Sequence, residues 1–142
     1  MKKLVIALVA IIGLASCEKE TVVPESELPK AAQEYLSTHF NGLNVIQVIK
    51  DREGLRKSYD VYLSEGFELE FKKSGDVVSI QNNRNQKLPD SVIPAKILDY
   101  VNNNFTGDFV VSWELDDNFQ EVELNTGMEL KFSKGGDFIR ID

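Results

Sequence analysis

The sequence predicts an α+β fold made of two tandem units, each a helix followed by a four-stranded antiparallel meander. Residues 60–80 (DVYLSEGFELEFKKSGDVVSI) match residues 121–141 (EVELNTGMELKFSKGGDFIRI) at a constant offset of 61, and such self-similarity indicates a duplicated structural unit. Within both copies apolar and polar residues alternate with a period of two, which is typical of strands with one buried and one solvated face. We expect the units to share one sheet of about eight strands, with both helices on one face.

Each unit opens with a helix that follows a proline. The first is predicted to begin at Pro29, since a first helical position does not need the missing N–H, and to stop at Asn41-Gly42. The second runs from Pro94 to Thr106-Gly107, at an offset of 65. The apolar stripes have the i, i+3, i+4, i+7, i+8 spacing of one helix face: Ala32, Tyr35, Leu36, His39 and Phe40, then Ile97, Tyr100, Val101, Asn104 and Phe105.

Strands follow each helix. Because the offset between the copies falls from 65 to 61, unit one has four additional residues, which we place in a longer turn around residues 53–56. Ser64-Glu65-Gly66 and Asn125-Thr126-Gly127 are typical of three-residue hairpin loops with a left-handed glycine. The predicted strands are residues 44–50, 57–63, 67–72 and 77–81, and their counterparts in unit two from 109–115 to 137–141.

The N-terminus has the composition of an export signal. Lys2 and Lys3 precede an apolar run over residues 4–14, which is shorter than the roughly 20 residues that span a bilayer. The following Leu14-Ala15-Ser16-Cys17 resembles the lipobox of bacterial lipoproteins, in which the cysteine is acylated and the peptide is cut before it. The resemblance implies membrane attachment through Cys17, on the outer membrane of a Gram-negative envelope, facing the periplasm or the cell surface. An ordinary secretory signal with an incidental cysteine is the alternative.

These patterns divide the chain into five segments. Residues 1–16 are predicted to be a lipoprotein signal peptide and residues 17–27 a polar tether without strand or helix period. Residues 28–81 form the first repeat, residues 82–92 a polar linker, and residues 93–142 the second repeat.

Composition excludes several function classes. The chain has 16 Lys+Arg against 23 Asp+Glu and a formal net charge of -7, so we expect no nucleic-acid partner, because phosphate binding requires a basic patch. A single cysteine cannot form an internal disulfide. His39 is the only histidine, which leaves no zinc site or Cys–His pair. We expect no cofactor, no metal and no catalysis, and a boundary role for His39; Asp116-Asp117-Asn118 is interpreted as a strand turn.

The tandem order of one helix and four strands comes with a shared set of residues. They are Leu28-Pro29, Phe40, residues 59–63, residues 66–71 and Gly75-Asp76 in unit one, and Ile93-Pro94, Phe105, residues 121–124 and residues 127–132 in unit two. These residues resemble the PepSY-like family of small secreted proteins, which is similar to β-lactamase inhibitory proteins, and the resemblance covers nearly all of residues 28–142. It implies binding or inhibition rather than catalysis, although the inhibitory proteins are disulfide-bonded and this chain has no cysteine to spare.

The solvated face of the sheet is the candidate site. We expect it to bind a protein or peptide partner, with Tyr62 as an anchor because Tyr is enriched at binding hot spots. A merely solvated face, and a small-ligand or cation site that uses its acidic residues, are the alternatives. Trp113 alternates with apolar residues, so we expect it in the core. The candidate binding residues are Tyr62, Glu68, Glu70, Glu123, Lys131 and Arg140.

Overall fold

A computed structural model describes residues 19–142 of the chain. The predicted signal peptide and Cys17 lie outside the described residues. The elements are β1 (Thr21–Val23), α1 (Lys30–His39), β2 (Val45–Glu53), β3 (Arg56–Leu63), β4 (Phe67–Lys72), β5 (Val77–Asn82), α2 (Ala95–Asn104), β6 (Val110–Leu115), β7 (Phe119–Leu124), β8 (Glu129–Ser133) and β9 (Phe138–Ile141).

All nine strands form one antiparallel sheet in chain order, from β1 at one edge to β9 at the other. Both helices pack on the same face, because their buried residues belong to one hydrophobic cluster with the inward side chains of every strand from β2 to β8. Tyr35 of α1 meets Phe71 edge-on at 5.8 Å between ring centroids, and Tyr100 of α2 meets Phe132 in the same way at 5.4 Å. The predicted α+β class, with two repeats in one sheet, is confirmed.

The core follows the predicted alternation. Leu69 and Leu130 are completely buried, and Trp113 is 6% exposed, so the strand faces are as expected. Trp113 Nε1 donates a hydrogen bond of 2.9 Å to Oε1 of Gln120, one of the few buried polar residues. Repeat one has the apolar Val48 and Tyr59 at the corresponding positions, so this buried polar pair is specific to repeat two.

The tether prediction is wrong for residues 21–23. Thr21, Val22 and Val23 pair with Lys50, Ile49 and Val48 of β2 and add a ninth strand to the expected eight. All three are β-branched and suit a pleated strand, but three residues are too few to establish a two-residue period in the sequence. The strand covers the edge of β2 that would otherwise leave its backbone groups unpaired.

The prediction of a longer turn in repeat one is also wrong. The additional residues lengthen the strands, since β2 and β3 have nine and eight residues whereas β6 and β7 have six each. The connecting turn is only Gly54-Leu55, and Gly54 has a φ of 57°, which glycine adopts without steric cost. Repeat one therefore extends further along the strand direction than repeat two.

The predicted linker is partly structural. Leu88 is completely buried and Val92 is 7% exposed, so both belong to the common core, and Asp90–Val92 form a short 3-10 turn before α2. Pro29 lies immediately before α1 and not at its first position; its carbonyl accepts hydrogen bonds from the N–H groups of Ala32 and Gln33. Within residues 19–142, neither helix is long and apolar enough to cross a membrane.

Candidate functional site

The face of the sheet opposite the helices carries a row of four carboxylates, which Ser79 interrupts on the middle strand. Antiparallel partners that lie directly opposite share a face, and the register aligns Asp60 with Glu70, Glu70 with Ser79, Ser79 with Glu114, and Glu114 with Glu121. Five adjacent strands, β3 to β7, therefore contribute to one line across the open face. We call Asp60, Glu70, Glu114 and Glu121 the acidic row.

Partial burial and nearby negative charges favour the protonated forms of two members of the acidic row, Asp60 and Glu70. The pKa of Asp60 is raised to about 6, first by burial and then by the negative charges of Glu70 and Glu68. The pKa of Glu70 is also raised, by burial and then by the charge of Glu114. Neighbouring strands lie about 4.8 Å apart, so each carboxylate has another like charge at close range.

No ion pair between described residues neutralises the half of the acidic row that lies in repeat one. None of the ion pairs formed within residues 19–142 includes Asp60, Glu70 or Glu114. Asp51 lies on the same face, since it pairs with Ser58, which in turn pairs with Lys72; its Oδ1 atom is buried without a hydrogen-bond partner. This region of the sheet consequently holds carboxylates that no ion pair within the described residues neutralises.

Tyr62 and Glu68 lie beside this region, directly opposite each other on β3 and β4. Burial, followed by the charges of Glu68 and Asp60, raises the pKa of the Tyr62 hydroxyl. Glu68 accepts hydrogen bonds from Gln81 Nε2 at 2.9 Å and Asn83 Nδ2 at 3.3 Å. The structure therefore brings together three of the predicted binding residues, Tyr62, Glu68 and Glu70, with Asp60.

The predicted residues of repeat two form a different environment. Lys131 Nζ lies 3.3 Å from Glu121 Oε2, 2.8 Å from Asp142 Oδ2 and 4.1 Å from the ring centroid of Phe119. Arg140 also pairs with Asp142. These cations are neutralised within the fold, and four strand spacings, about 19 Å, separate Lys131 from Glu70. Lys131 and Arg140 do not join the cluster around Tyr62.

Glu123 holds an intermediate position. It lies opposite Ser112 on β6 and Glu129 on β8, one step along the strands from Glu121. The register therefore aligns it with the line that contains Tyr62 and Glu68, but on the repeat-two side of the open face.

The six sequence-based candidates omit Asp60 and Glu121, which alternation within their strands places on this face, and they also omit Asp51 and Glu114. Asp51 lies beyond the predicted end of β2. Had the strand been predicted to continue through Asp51, the two-residue alternation would have placed it on the same face as Gln47 and Ile49. Glu114 alternates with the inward Trp113, so the alternation itself carried the signal. Cross-strand register, which sequence alternation does not provide, is what aligns Glu114 with Ser79 and Glu121.

His39 lies on the helical side of the molecule, away from the acidic row. Its Nδ1 atom is 2.9 Å from the Ser91 hydroxyl oxygen, and its ring lies 4.5 Å from that of Tyr35. It thus connects the end of α1 with the segment that leads into α2. Among residues 19–142, no three His, Cys, Asp or Glu side chains are grouped so as to hold a metal ion.

Comparison with solved structures identifies close neighbours of this fold. A crystal structure from Bacteroides thetaiotaomicron, described as a "putative calcium-regulated periplasmic protein", is 30% identical with a TM-score of 0.82, and the match covers 87% of this chain and 96% of that one. A second, described as a "putative periplasmic protein" from Bacteroides vulgatus, is 31% identical with a TM-score of 0.82, covering 87% and 97%. A third, from the same organism and described as of unknown function, is 30% identical with a TM-score of 0.81, covering 87% and 99%.

The family assignment rests on most of the chain. No curated protein matches the chain. A family model described as "Putative beta-lactamase-inhibitor-like, PepSY-like" matches residues 15–56 and 57–140. With the duplicated helix-and-meander architecture and the three solved neighbours, this match shows that the chain belongs to the PepSY-like family of β-lactamase-inhibitor-like proteins.

Proposed function

We propose that the protein is a non-catalytic binding module of the cell envelope, whose open sheet face holds a basic protein or peptide partner. The observation that carries this proposal is the uncompensated half of the acidic row, with the pKa of Asp60 raised to about 6. Cationic groups placed against Asp60 and Glu70 would relieve the repulsion between carboxylates that the fold holds together.

The dimensions of the row favour an extended partner. Asp60 and Glu114, which form no ion pair within the described residues, lie on β3 and β6, three strand spacings or about 14 Å apart. A calcium ion contacts oxygens at only about 2.3–2.6 Å. Several cationic side chains on one partner can therefore engage positions that a single ion cannot reach together. Tyr62, beside the row, supplies an amphipathic side chain of the kind that anchors binding interfaces.

The test uses a lysine-rich peptide with an amidated C-terminus and an acidic peptide of the same length. We expect calorimetry at pH 7.5 to detect saturable binding of the basic peptide alone, weakened by added salt because the contacts are ionic. The Asp60→Asn/Glu70→Gln double variant should bind at least about tenfold more weakly, a loss of about 1.4 kcal/mol.

A matched control lies on the helical side. The side chain of Glu34 is 68% exposed and, among residues 19–142, forms an ion pair with Lys30 alone, so Glu34→Gln removes one negative charge without changing the open face. Equal binding of the basic peptide by the double variant and the wild-type chain would refute the proposal. Reproducible hydrolysis of a defined substrate by the pure protein would refute its non-catalytic part.

Cation binding at the acidic row is a second candidate. It is favoured by the raised pKa of Asp60 and by the structural neighbour described as calcium-regulated. If this candidate holds, calorimetry with calcium should give saturable heat in the wild-type chain, and the heat should be lost in Asp60→Asn/Glu70→Gln. Heat no greater than that of dilution in buffer would eliminate it.

The N-terminal sequence supports a location for the protein in the cell envelope. Lys2, Lys3, the apolar run and the Leu14–Cys17 motif support export and lipid attachment through Cys17. The three solved neighbours are each described as a periplasmic protein. Several acyl chains on one cysteine provide stable anchoring, because each buried CH₂ contributes about 0.8 kcal/mol. We propose attachment to the outer membrane.

Cys17→Ala should abolish incorporation of radioactive palmitate and release the protein from the membrane fraction. The Ser16→Ala variant is the control, since it keeps the cysteine and a small residue before it. Palmitate label that persists in Cys17→Ala would refute lipidation at this residue.

A further inference from the structure

The sheet opens at the boundary between the two repeats. Only three residue pairs join β5 to β6, from Ser79 and Glu114 to Gln81 and Ser112. Beyond Ser79 the strands are no longer paired, and a cleft of about 310 Å³ opens on the acidic face, with Val78 and Leu115 among its lining residues. This volume is at the lower end of the range for small-ligand sites. We call it the junction cleft.

The junction cleft has charges of both signs that remain unpaired. Its lining includes the cations Arg56 and Lys72, from β3 and β4, and four acids from β4, β6 and the turn after β6: Glu70, Glu114, Asp116 and Asp117. None of these six residues takes part in an ion pair formed within residues 19–142. Opposite charges that line one cleft without pairing suit a ligand that carries both signs itself.

A small side chain contributes to the junction cleft. Ser79 forms part of its lining, and the position that corresponds to Ser79 in repeat two is Arg140. Arg140 is a long side chain that pairs with Asp142, whereas Ser79 is short and occupies little of the space above β5. This difference between the two copies helps to leave the cleft open at their junction.

We propose that the junction cleft binds the C-terminal basic residue of a peptide. Arg56 and Lys72 donate hydrogen bonds to the terminal carboxylate, since guanidinium and ammonium groups form strong charge-assisted contacts with carboxylates. The basic side chain lies against the acids, which outnumber the two cations. Burial and the charge of Glu114 raise the pKa of Glu70, so a cation there also relieves repulsion.

This inference rests on the proposed function, because it names the end of the basic peptide that the open face holds. It adds a requirement for a free carboxylate, which the row of acids alone would disfavour. Recognition of both groups in one cleft makes binding depend on the last residue of the partner and not only on its overall charge.

Calorimetry or NMR titration with N-α-acetyl-L-lysine tests the cleft, using the full chain in a mild non-ionic detergent. Two matched probes each lack one group: N-α-acetyl-L-lysine methylamide has no carboxylate, and N-α-acetyl-L-norleucine has no cation. We expect saturable binding of acetyl-lysine, and binding of both other probes weaker by at least about tenfold. Absence of saturable binding, or equal binding of the methylamide, would overturn the proposal.

Variants locate the site. Arg56→Gln should weaken acetyl-lysine binding by at least about tenfold, and Lys72→Gln should act in the same direction. Lys57→Gln is the control, because Lys57 is adjacent on β3 but does not line the cleft; its binding should equal that of the wild type. Unchanged thermal unfolding of Arg56→Gln shows that the variant is folded, and undiminished binding by it would overturn the proposal.

The two proposals fail separately. Asp60→Asn should weaken binding of the amidated lysine-rich peptide, which has no free carboxylate, while leaving acetyl-lysine binding in place. If the protein binds that peptide but not acetyl-lysine, the proposal for the junction cleft is overturned and the proposed function stands. Tighter binding of free L-lysine than of acetyl-lysine would show that the cleft binds a free amino acid. It would overturn the proposal that the ligand is the end of a peptide.

Discussion

The two repeats share a core but differ on the open face. Leu69 and Leu130 are equivalent and completely buried, as are Phe71 and Phe132. On the other face, Glu70 of repeat one corresponds to Lys131 of repeat two. Lys131 neutralises Glu121, whereas Asp60, the counterpart of Glu121, has no ion-pair partner within the described residues.

This difference separates scaffold from candidate site. Inward positions must fill the same space beneath a helix in both copies, so their side chains stayed similar. Outward positions contact water and tolerate a change of charge at little cost in stability. Glu121 is thus neutralised within the fold, whereas Asp60 and Glu70 remain available to a charged partner.

The largest expected effect tests the shared core. Leu69→Ala and Leu130→Ala should each lower the free energy of unfolding by about 2–5 kcal/mol, because both remove completely buried methyl groups. Urea unfolding measures the loss. Leu55→Ala, at a completely exposed position, is the control and should change stability little. A loss below about 1 kcal/mol at either leucine would contradict the assignment of the buried face.

A smaller effect on stability is expected where each helix contacts the turn before the last strand of its repeat. Gly75 and Gly136 have φ values of 92° and 85°, so alanine at either position costs about 1–2 kcal/mol in backbone strain. A Cβ at Gly75 would also lie 2.8 Å from Ala31 Cβ and 3.0 Å from the backbone nitrogen of Ala32, whereas at Gly136 its nearest atom is Lys96 Cβ at 3.0 Å. Gly75→Ala should therefore destabilise the fold more than Gly136→Ala.

Gly42→Ala provides the control for that comparison. Gly42 has a φ of 90° and no atom within 4 Å of a built Cβ, so its substitution measures backbone strain alone. Thermal unfolding of the three variants should place Gly75→Ala as the least stable. Equal losses in all three would show that helix α1 does not constrain the turn.

The smallest effect concerns the acidic row. Because the pKa of Asp60 is raised to about 6 in the folded chain, the folded state holds its proton more tightly than the unfolded state. Stability from this group is present at low pH and is lost as pH rises from about 4 through 6. Asp60→Asn should therefore gain about 1 kcal/mol relative to the wild type between pH 4 and pH 7.5, after allowance for solvent screening.

Glu121→Gln, the equivalent change in repeat two, tests whether the gain in stability is specific to repeat one. Glu121→Gln removes a carboxylate that pairs with Lys131 at 3.3 Å, so it should not gain stability at pH 7.5. Urea unfolding at both pH values measures the two variants side by side. A gain for Glu121→Gln as large as that for Asp60→Asn would contradict the electrostatic difference between the repeats.

Much of the fold was predictable because it repeats local patterns. Alternation along β3 and β4 identified the faces of Val61, Leu69 and Phe71, and the proline-led stripes identified both helices. Strand β1 was missed because three residues contain too little pattern, and pairing with β2 alone makes them a strand. The additional residues of repeat one were misplaced because sequence gives their number but not how they divide between strand and turn.

The candidate site was predictable only in part for a related reason. Outward positions such as Tyr62, Glu68 and Glu70 follow from alternation within one strand. Lys131 and Arg140 belong to the same face by the same rule, yet their contacts with Glu121 and Asp142 depend on neighbouring strands. Charge on a face is therefore readable from sequence, whereas neutralisation of that charge is not.

The sequence by itself determined the duplication, the two helices and the alternating faces, because these depend on periodicities of a few residues. Only the tertiary structure decided which carboxylates align across five strands, which of them lack a counter-charge, and where the sheet opens between the repeats. Those features depend on cross-strand register, and register is set by the joint packing of all strands against both helices. The repeated stretch is thus scaffold, and its differences provide the surface that we propose to be functional.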